Sequence, residues 1–362
     1  MKNNIKIIFI SSEDPRIIKN GVTAAFNTCL RTVLELNYDI DIYIHNSKIF
    51  IDSDLQKESI LDFNNINVTK YDYIFLSPIN VAFKYLFSYK KVREHQVISF
   101  LSDCYSYTLF RNFNMGLKFN KIFFIYLLRF PVAFFKELYV ENESKKIALQ
   151  TPRDVYLFNK LYFSRKSIFF PNSPIFKDIK RLNINNRSSI GWIVSCTDDY
   201  FPLTKWFFRN VVLDILQKND DFKLHIHGKN NYKLRDYIEK ISPNNNFNIN
   251  YTEYVDEIST FYLNVKVLLS PVYKGYGLIN RTIEAMYYGC IVVGDPMAFN
   301  GIKRAKNGVN CYIAKNNKDF IEKIEVIYKS GSLESISNNS HDTVKEDFDI
   351  KNNIEILRNN LN

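Results

Sequence analysis

The sequence predicts an α/β protein of two Rossmann-like, doubly wound domains, each a parallel sheet covered by helices. Three observations lead there. Strand-like apolar runs alternate with helical patterns along most of the chain. The alternation breaks once, at the polar segment Ser173–Ser189 with Pro174 and an Asn/Lys/Arg cluster, and then restarts. The 362 residues also exceed what one core of ordinary size holds and suit two domains.

Taken in order, Ile5–Ser11 reads as a strand, Val22–Leu36 as a helix opened by Gly21, and Tyr38–Ile44 as an alternating strand. Tyr71–Leu76 is a strand and Val81–Val92 a helix. Gln96–Leu101 is a strand ending at Ser102-Asp103. Ile147–Gln150 and Ile168–Phe170 are short strands around the helix Arg153–Leu161. After the polar linker come strand Ile190–Ser195, helix Leu203–Gln217, strand Phe222–His227, helix Tyr232–Ile241 and strand Phe247–Tyr251. Helix Glu257–Leu263, strand Val265–Leu269, helix Asn280–Tyr288, strand Ile291–Gly294 and helix Asp319–Tyr328 follow. The pattern gives an N-terminal domain over 1–172, a linker over 173–189 and a C-terminal domain over 190–335. A last helix within 342–362 is expected to cross back to the first domain. Two such domains place a cleft between them, and open α/β sheets bind ligands outside the carboxyl ends of their strands.

Composition narrows the class. Hydrophobic residues at 46% exclude general disorder, and 11 Gly with 10 Pro exclude collagen-like and Pro/Gly-linker chains. The five cysteines are scattered, without a C-x-x-C, which disfavours a disulfide scaffold or zinc ribbon and fits a reducing cytosol. The apolar run Ile5–Ile10 is short for a signal-peptide core. Ile122–Phe135, broken by Arg129 and Pro131, falls short of the roughly 20 residues that span a bilayer. The net charge of +10 and the 30 Phe and 24 Tyr admit an anionic partner. They equally reflect a bias toward A/T-rich codons, which favour Phe, Tyr, Ile, Asn and Lys.

The most informative stretch is Ser270–Ile302. A strand ends at Ser270-Pro271, a loop with Lys274, Gly275, Tyr276 and Gly277 follows, and a helix then carries Arg281 and Glu284. Glycines let a backbone approach a phosphate, and a helix start offers free N–H groups and a positive dipole. Arg281 adds a bidentate donor for phosphate oxygens. Glu284, one turn on, is placed to accept from the two hydroxyls of a ribose. The competing readings are a tight strand-to-helix turn and an i,i+3 ion pair between Arg281 and Glu284.

This segment resembles the donor-site signature of GT-B glycosyltransferases of family 4, the glycosyl transferases group 1. Gly277, Arg281, Glu284-Ala285-Met286, Gly289 and Val292-Val293 fall in register, with Arg281 at the family's lysine and Ile291 at its proline. Gly301-Ile302 and Asn307–Asn310 continue the register, and Thr204–Val212, Phe222–Gly228, Tyr254–Asp256 and Val267–Pro271 precede it. The likeness runs from Ile190 to Tyr328. In the first half it is looser, at Gly21, Ser102-Asp103, Leu149–Asp154 and Pro171-Asn172. It implies a GT-B fold with the two sheets facing a central cleft. It also implies a nucleotide-sugar donor in UDP or GDP form, no further cofactor and no metal. In that reading Glu284 holds the ribose, and Arg281 with Lys274, Gly275, Tyr276 and Gly277 holds the diphosphate. Gly21 brings backbone N–H groups near the phosphates, and Asp103 orients the acceptor hydroxyl or donor sugar. The catalytic set is then Asp103 and Arg281. The resemblance further implies retaining hexosyl transfer to a glycan or lipid-linked glycan in bacterial O-antigen or capsule synthesis, in the cytoplasm or at the inner face of the cell membrane. The sequence departs from the family where Lys274 replaces a glutamate, where Gly277 to Glu284 is two residues longer, and where Ser195–Asp199 carries no base. Lys205 and Lys229 are the substitutes for that base.

Other signals carry weaker readings. Asp39-x-Asp41 on one strand face and Asp52-x-Asp54 in a polar loop imitate a metal motif, His225-x-His227 sets two imidazoles on one strand face without a third ligand, and Cys104 is a buried thiol by default. Asp103 read without the family is a helix cap or turn residue. The basic, aromatic segment Lys118–Phe135 is either a helix of the first domain or a peripheral membrane contact. Two rival functions stand beside glycosyl transfer: a GT-B nucleotide-sugar epimerase or hydrolase, and a non-catalytic basic binding protein. Nucleic acid is not an expected partner, because Lys and Arg are scattered and no module signature occurs.

Overall fold

The computed structural model describes residues 5–19, 21–52, 57–115, 121–177, 179, 181–198, 200–218, 221–243, 246–255, 257–272, 277–330 and 333–361, and only the backbone at 111–115 and 121–126. The fold is α/β, with two mainly parallel sheets. The chain divides into two compact units, one of Met1–Pro174, Lys274–Leu278 and Phe348–Asn362, the other of Ile175–Tyr273 and Ile279–Asp347.

The first unit contains β1 (Lys6–Ser11), α1 (Gly21–Glu35), β2 (Asp39–Ile44), β3 (Ile49–Asp52), β4 (Lys57–Ile60) and β5 (Tyr73–Ser77). Next come α2 (Ile79–Ser88), α3 (Lys90–Arg93), β6 (Gln96–Phe100), α4 (Tyr105–Met115), α5 (Lys121–Glu143), β7 (Lys146–Leu149), α6 (Pro152–Tyr162) and β8 (Ser167–Phe169). The sheet order is β4-β3-β2-β1-β5-β6-β7-β8. Strands β2, β1 and β5 to β8 are parallel, while β3 and β4 extend the edge antiparallel. Alternation along β1 builds a core on both faces: Ile8 and Ile10 pack with Tyr85 and Phe158, and Ile7 and Phe9 with Phe26 and Phe75. The strand order reverses between β1 and β5, and Gly21 opens α1 beyond the carboxyl end of β1.

The second unit contains β9 (Ser189–Ile193), α7 (Phe201–Phe207), a π-helical turn (Phe208–Val212) and α8 (Leu213–Lys218). It continues with β10 (Lys223–His227), α9 (Tyr232–Ile241), β11 (Ile249–Thr252), α10 (Ile258–Asn264), β12 (Val265–Ser270) and α11 (Asn280–Tyr287). The remaining elements are β13 (Ile291–Gly294), β14 (Tyr312–Ile313), α12 (Asn317–Lys329) and α13 (Glu334–Asp347). Its sheet, β11-β10-β9-β12-β13-β14, is parallel throughout and reverses order between β9 and β12. Ile184 and Arg187, inside the segment read as a linker, are buried in this unit. The last helix, α14 (Ile350–Asn360), belongs to the first unit, where it packs on α1 and Asn353 donates to the Pro171 carbonyl at 2.8 Å.

Three sequence readings are corrected. The predicted helix Val81–Val92 breaks at Tyr89, whose backbone is extended, into α2 and α3. The terminal helix predicted within 342–362 is two helices, because Ser337, Ser340 and Val344 bury a face of the polar segment that reads as a loop. Asp52 lies on β3 rather than in a loop, and Asp54 lies outside the described residues.

Candidate active site

The second unit's site is built at its switch point. Helix α11 follows β12, and its start is pinned there by a 2.8 Å hydrogen bond between Thr282 and Ser270 hydroxyls. Its N-cap residue, Ile279, is extended and makes no side-chain capping bond. The helix stops in a Schellman turn. Gly289 N–H donates to the Met286 carbonyl at 3.0 Å and Cys290 N–H to the Ala285 carbonyl at 2.9 Å. Gly289 has φ +73, the left-handed geometry that makes glycine the fitting residue there. This turn sends the chain straight into β13.

Arg281 and Glu284 stand on α11 between the buried Thr282, Ile283, Ala285 and Met286. The ion pair between them that spacing allows does not form. Arg281 Nη2 donates to the Pro271 carbonyl at 3.1 Å, just past β12, and its buried Nε has no hydrogen-bond partner among the described residues. Burial lowers the guanidinium's pKa, and Tyr262, Asp295 and Tyr200 nearby oppose that shift. Asp295 accepts from Met297 N–H at 2.8 Å and from Val272 N–H. Glu284 accepts at Oε2 from the Tyr262 hydroxyl at 2.9 Å, and its Oε1 bonds to no described residue. Burial raises the Glu284 pKa, and the tyrosine bond opposes the rise. The result is a guanidinium and a carboxylate one helical turn apart that do not pair with each other.

Lys274, Gly275 and Tyr276 lie outside the described residues. Gly277 is described and its φ is not in the left-handed region, so any role rests on its missing side chain. Lys205 sits 4.8 Å from the Phe201 ring centroid and 5.6 Å from that of Tyr237, and Lys229 is exposed. A glycine outside the predicted set is sterically required: at Gly228, after β10, a Cβ would meet the Val194 carbonyl oxygen at 2.0 Å.

In the first unit Asp103 accepts from the Thr108 hydroxyl at 3.0 Å, and burial raises its pKa. It is not the cap of α4. Glu137, fully buried on α5, takes the Tyr105 and Ser106 N–H groups at 2.6 and 3.1 Å and the Tyr162 hydroxyl at 2.7 Å. Asp154, also fully buried, accepts from Cys104 N–H at 3.4 Å and from the Thr151 hydroxyl at 2.5 Å. Burial, with Asp103's charge added, pushes Asp154 up to about 7. Cys104 is fully buried, and burial raises its thiol.

The remaining signals resolve locally. Asp41 is tied to Lys70 at 3.1 Å and to the Tyr71 hydroxyl. His225 bonds to the Thr252 hydroxyl at 2.8 Å, and both it and His227 pack on Phe261. No group of three or more metal-ligating side chains occurs among the described residues.

Residues 203–330 match the sequence family Glycosyl transferases group 1. No curated protein sequence matches the chain significantly. Among solved structures, the fold is similar to a sucrose-phosphate synthase from Thermosynechococcus elongatus, with TM-score 0.69, 11% identity and 98% coverage of each chain. It is similar to Anabaena HepE in complex with UDP, with TM-score 0.64, 12% identity, and coverage of 98% of this chain and 99% of that one. It is also similar to TarM, with TM-score 0.60 and 14% identity over 87% of this chain, which spans 61% of TarM's length. The family match and the fold together support a glycosyltransferase of the GT-B type.

Proposed function

We propose that this chain is a family 4 glycosyltransferase moving a hexose from a UDP- or GDP-sugar to a glycan or lipid-linked glycan, with retention and without a metal, in bacterial O-antigen or capsule assembly. The observation that carries the donor reading is on α11: Arg281, whose buried Nε has no partner among the described residues, and Glu284, whose Oε2 is held by Tyr262 while Oε1 bonds to no described residue. A guanidinium fixed at the carboxyl end of β12 suits a diphosphate. Its charge would stabilise the leaving nucleotide as the sugar becomes oxocarbenium-like. The unclaimed carboxylate oxygen suits ribose hydroxyls. Solved structures of similar fold, HepE with UDP and glucose and a mutant TarM with UDP and α-GlcNAc-glycerol, favour a nucleotide sugar and a glycan acceptor. Asp103 and Gly21 enter the reading through the resemblance, as does the polysaccharide pathway.

Glu284→Ala is expected to weaken binding of the cognate nucleoside diphosphate, among UDP, GDP and ADP, by ~1–3 kcal/mol in calorimetry. Unchanged affinity sinks the assignment. Transfer itself is read from product on a panel of nucleotide sugars, and product formed without acceptor would instead mean hydrolysis or epimerisation.

We place a peripheral membrane contact at 118–135 in the same reading. No helix among the described residues is long and apolar enough to cross a membrane. On α5 the side chains of Leu127, Leu128, Val132 and Phe135 are exposed, and the stretch from Tyr105 to Lys136 carries five bases and no acid. An apolar stripe within an acid-free basic segment suits an anionic lipid surface. Leu128→Ser with Phe135→Ser should cut flotation with anionic liposomes by about tenfold or more. Equal flotation of the variant would remove the contact from the reading.

A further inference from the structure

Tyr262 is a fully buried tyrosine that the donor-site signature does not contain, and its hydroxyl reaches the one carboxylate that the proposed function depends on. Resting on the reading of Glu284 as the ribose ligand, we infer that Tyr262 is a positioning residue that orients the Glu284 carboxylate and thereby sets the discrimination of ribose from deoxyribose nucleotides.

The geometry has three parts. First, the Tyr262 hydroxyl lies 2.9 Å from Glu284 Oε2 and 3.4 Å from the Arg281 carbonyl, so its single proton goes to the carboxylate, the nearer and charged acceptor. That bond fixes the carboxyl plane and leaves Oε1 to face a ligand. Second, the ring cannot move aside. Tyr262 is wholly buried, packs on Phe261, and stacks on Tyr288 at a centroid distance of 5.8 Å and an interplanar angle of 14°.

Third, its backbone is clamped together with the end of α11. The buried Arg187 guanidinium donates from Nη1 to the carbonyls of Tyr262 and Val265 at 3.2 and 3.3 Å, and from Nη2 to that of Tyr288 at 2.9 Å. The Cys290 thiol donates to the same Tyr262 carbonyl at 3.2 Å. One cation thus sits on the carboxyl ends of α10 and α11, where a positive charge is favoured, and holds donor and acceptor in one frame. A carboxylate with a single fixed donor on one oxygen loses less freedom when the other oxygen binds a hydroxyl pair.

The test uses the full chain and the cognate nucleoside diphosphate, alongside its 2′,3′-dideoxy counterpart. Wild type should prefer the ribose form, and Glu284→Ala should bind both forms alike. Tyr262→Phe keeps the ring and removes one oxygen. It should weaken the ribose form about 3–10-fold, leave the dideoxy form unchanged, and change nothing further in a Glu284→Ala background. Glu284→Asp, which keeps the charge but withdraws it from the hydroxyl, is the second arm and should reproduce the loss. A Tyr262→Phe protein with wild-type discrimination, or one weakened equally for both nucleotides, overturns the positioning role. Should Glu284→Ala itself retain wild-type discrimination, the ribose reading fails, and the inference about Tyr262 fails with it.

Discussion

The start of α4 in the first unit and the start of α11 in the second both place charged side chains just past a parallel strand, yet they are satisfied differently. Around the start of α4 two buried carboxylates from neighbouring helices are consumed internally, Glu137 by two backbone N–H groups and a hydroxyl and Asp154 by Thr151 and Cys104, while Asp103 accepts from Thr108. At α11 the buried Arg281 Nε has no partner among the described residues, and Glu284 is held there at Oε2 by Tyr262. Buried polar groups in folded proteins nearly always find partners, so the unmet Arg281 Nε points outward to a ligand, whereas the bonds that close on Glu137 and Asp154 point inward to stability. Two regions that look alike in sequence, an acid or base following a strand, thus carry different evidential weight.

The largest effect that would test this contrast is at Arg281. Arg281→Ala should lower kcat/KM for transfer by ~10²–10³-fold, the usual consequence of deleting one fixed donor at developing charge. Thermal stability should stay near wild type, because the side chain's one described hydrogen bond is to the Pro271 carbonyl. A large fall in melting temperature with little change in rate would make α11 a structural region like α4 and erase the difference between them.

How much of this was legible beforehand depends on the length scale of the cause. The order of strands and helices in the second unit follows from local periodicity, and α11 is bounded by residues visible in sequence, Ser270-Pro271 before it and Gly289 after it. The edge strand β4 was not legible, since Lys57-Glu58-Ser59-Ile60 is wholly exposed and has no apolar alternation to betray a strand. Helix α13 was hidden because Ser and Asn favour turns locally, and burial of Ser337 and Ser340, with the Ser337 hydroxyl bonded to the Gly289 carbonyl at 2.6 Å, overrides that preference. In the site, Arg281 and Glu284 were legible from helical spacing, but their failure to pair was not. Tyr262 precedes Glu284 by 22 residues on another helix, and Arg187 lies in a stretch that reads as a polar linker. No short-range pattern encodes either contact.

The smaller effect concerns the closed network and has a sign that can be worked out. Asp154 is pushed from the ordinary aspartate range up to about 7 in the folded chain by burial and by the charge of Asp103, against the opposing pull of Thr151, Cys104 and Arg153. Between its unfolded pKa of ~3.9 and about 7 the folded protein therefore binds more protons at this group than the unfolded chain does. Its contribution to stability is full below pH ~4 and is lost as pH rises toward 7, at a slope of at most ~1.4 kcal/mol per pH unit. Asp154→Asn removes that slope. In urea unfolding at a series of pH values, the variant-minus-wild-type difference should move in the variant's favour as pH rises from about 4 to about 7, then level off. Using the difference cancels His225 and His227, whose burial-lowered pKa values act in the opposite direction near pH 6. A difference that stays flat across the window would mean that Asp154 is ionised throughout. The α4 region would then hold a live charge beside Asp103 rather than a neutral, closed network, and the contrast with α11 would narrow accordingly.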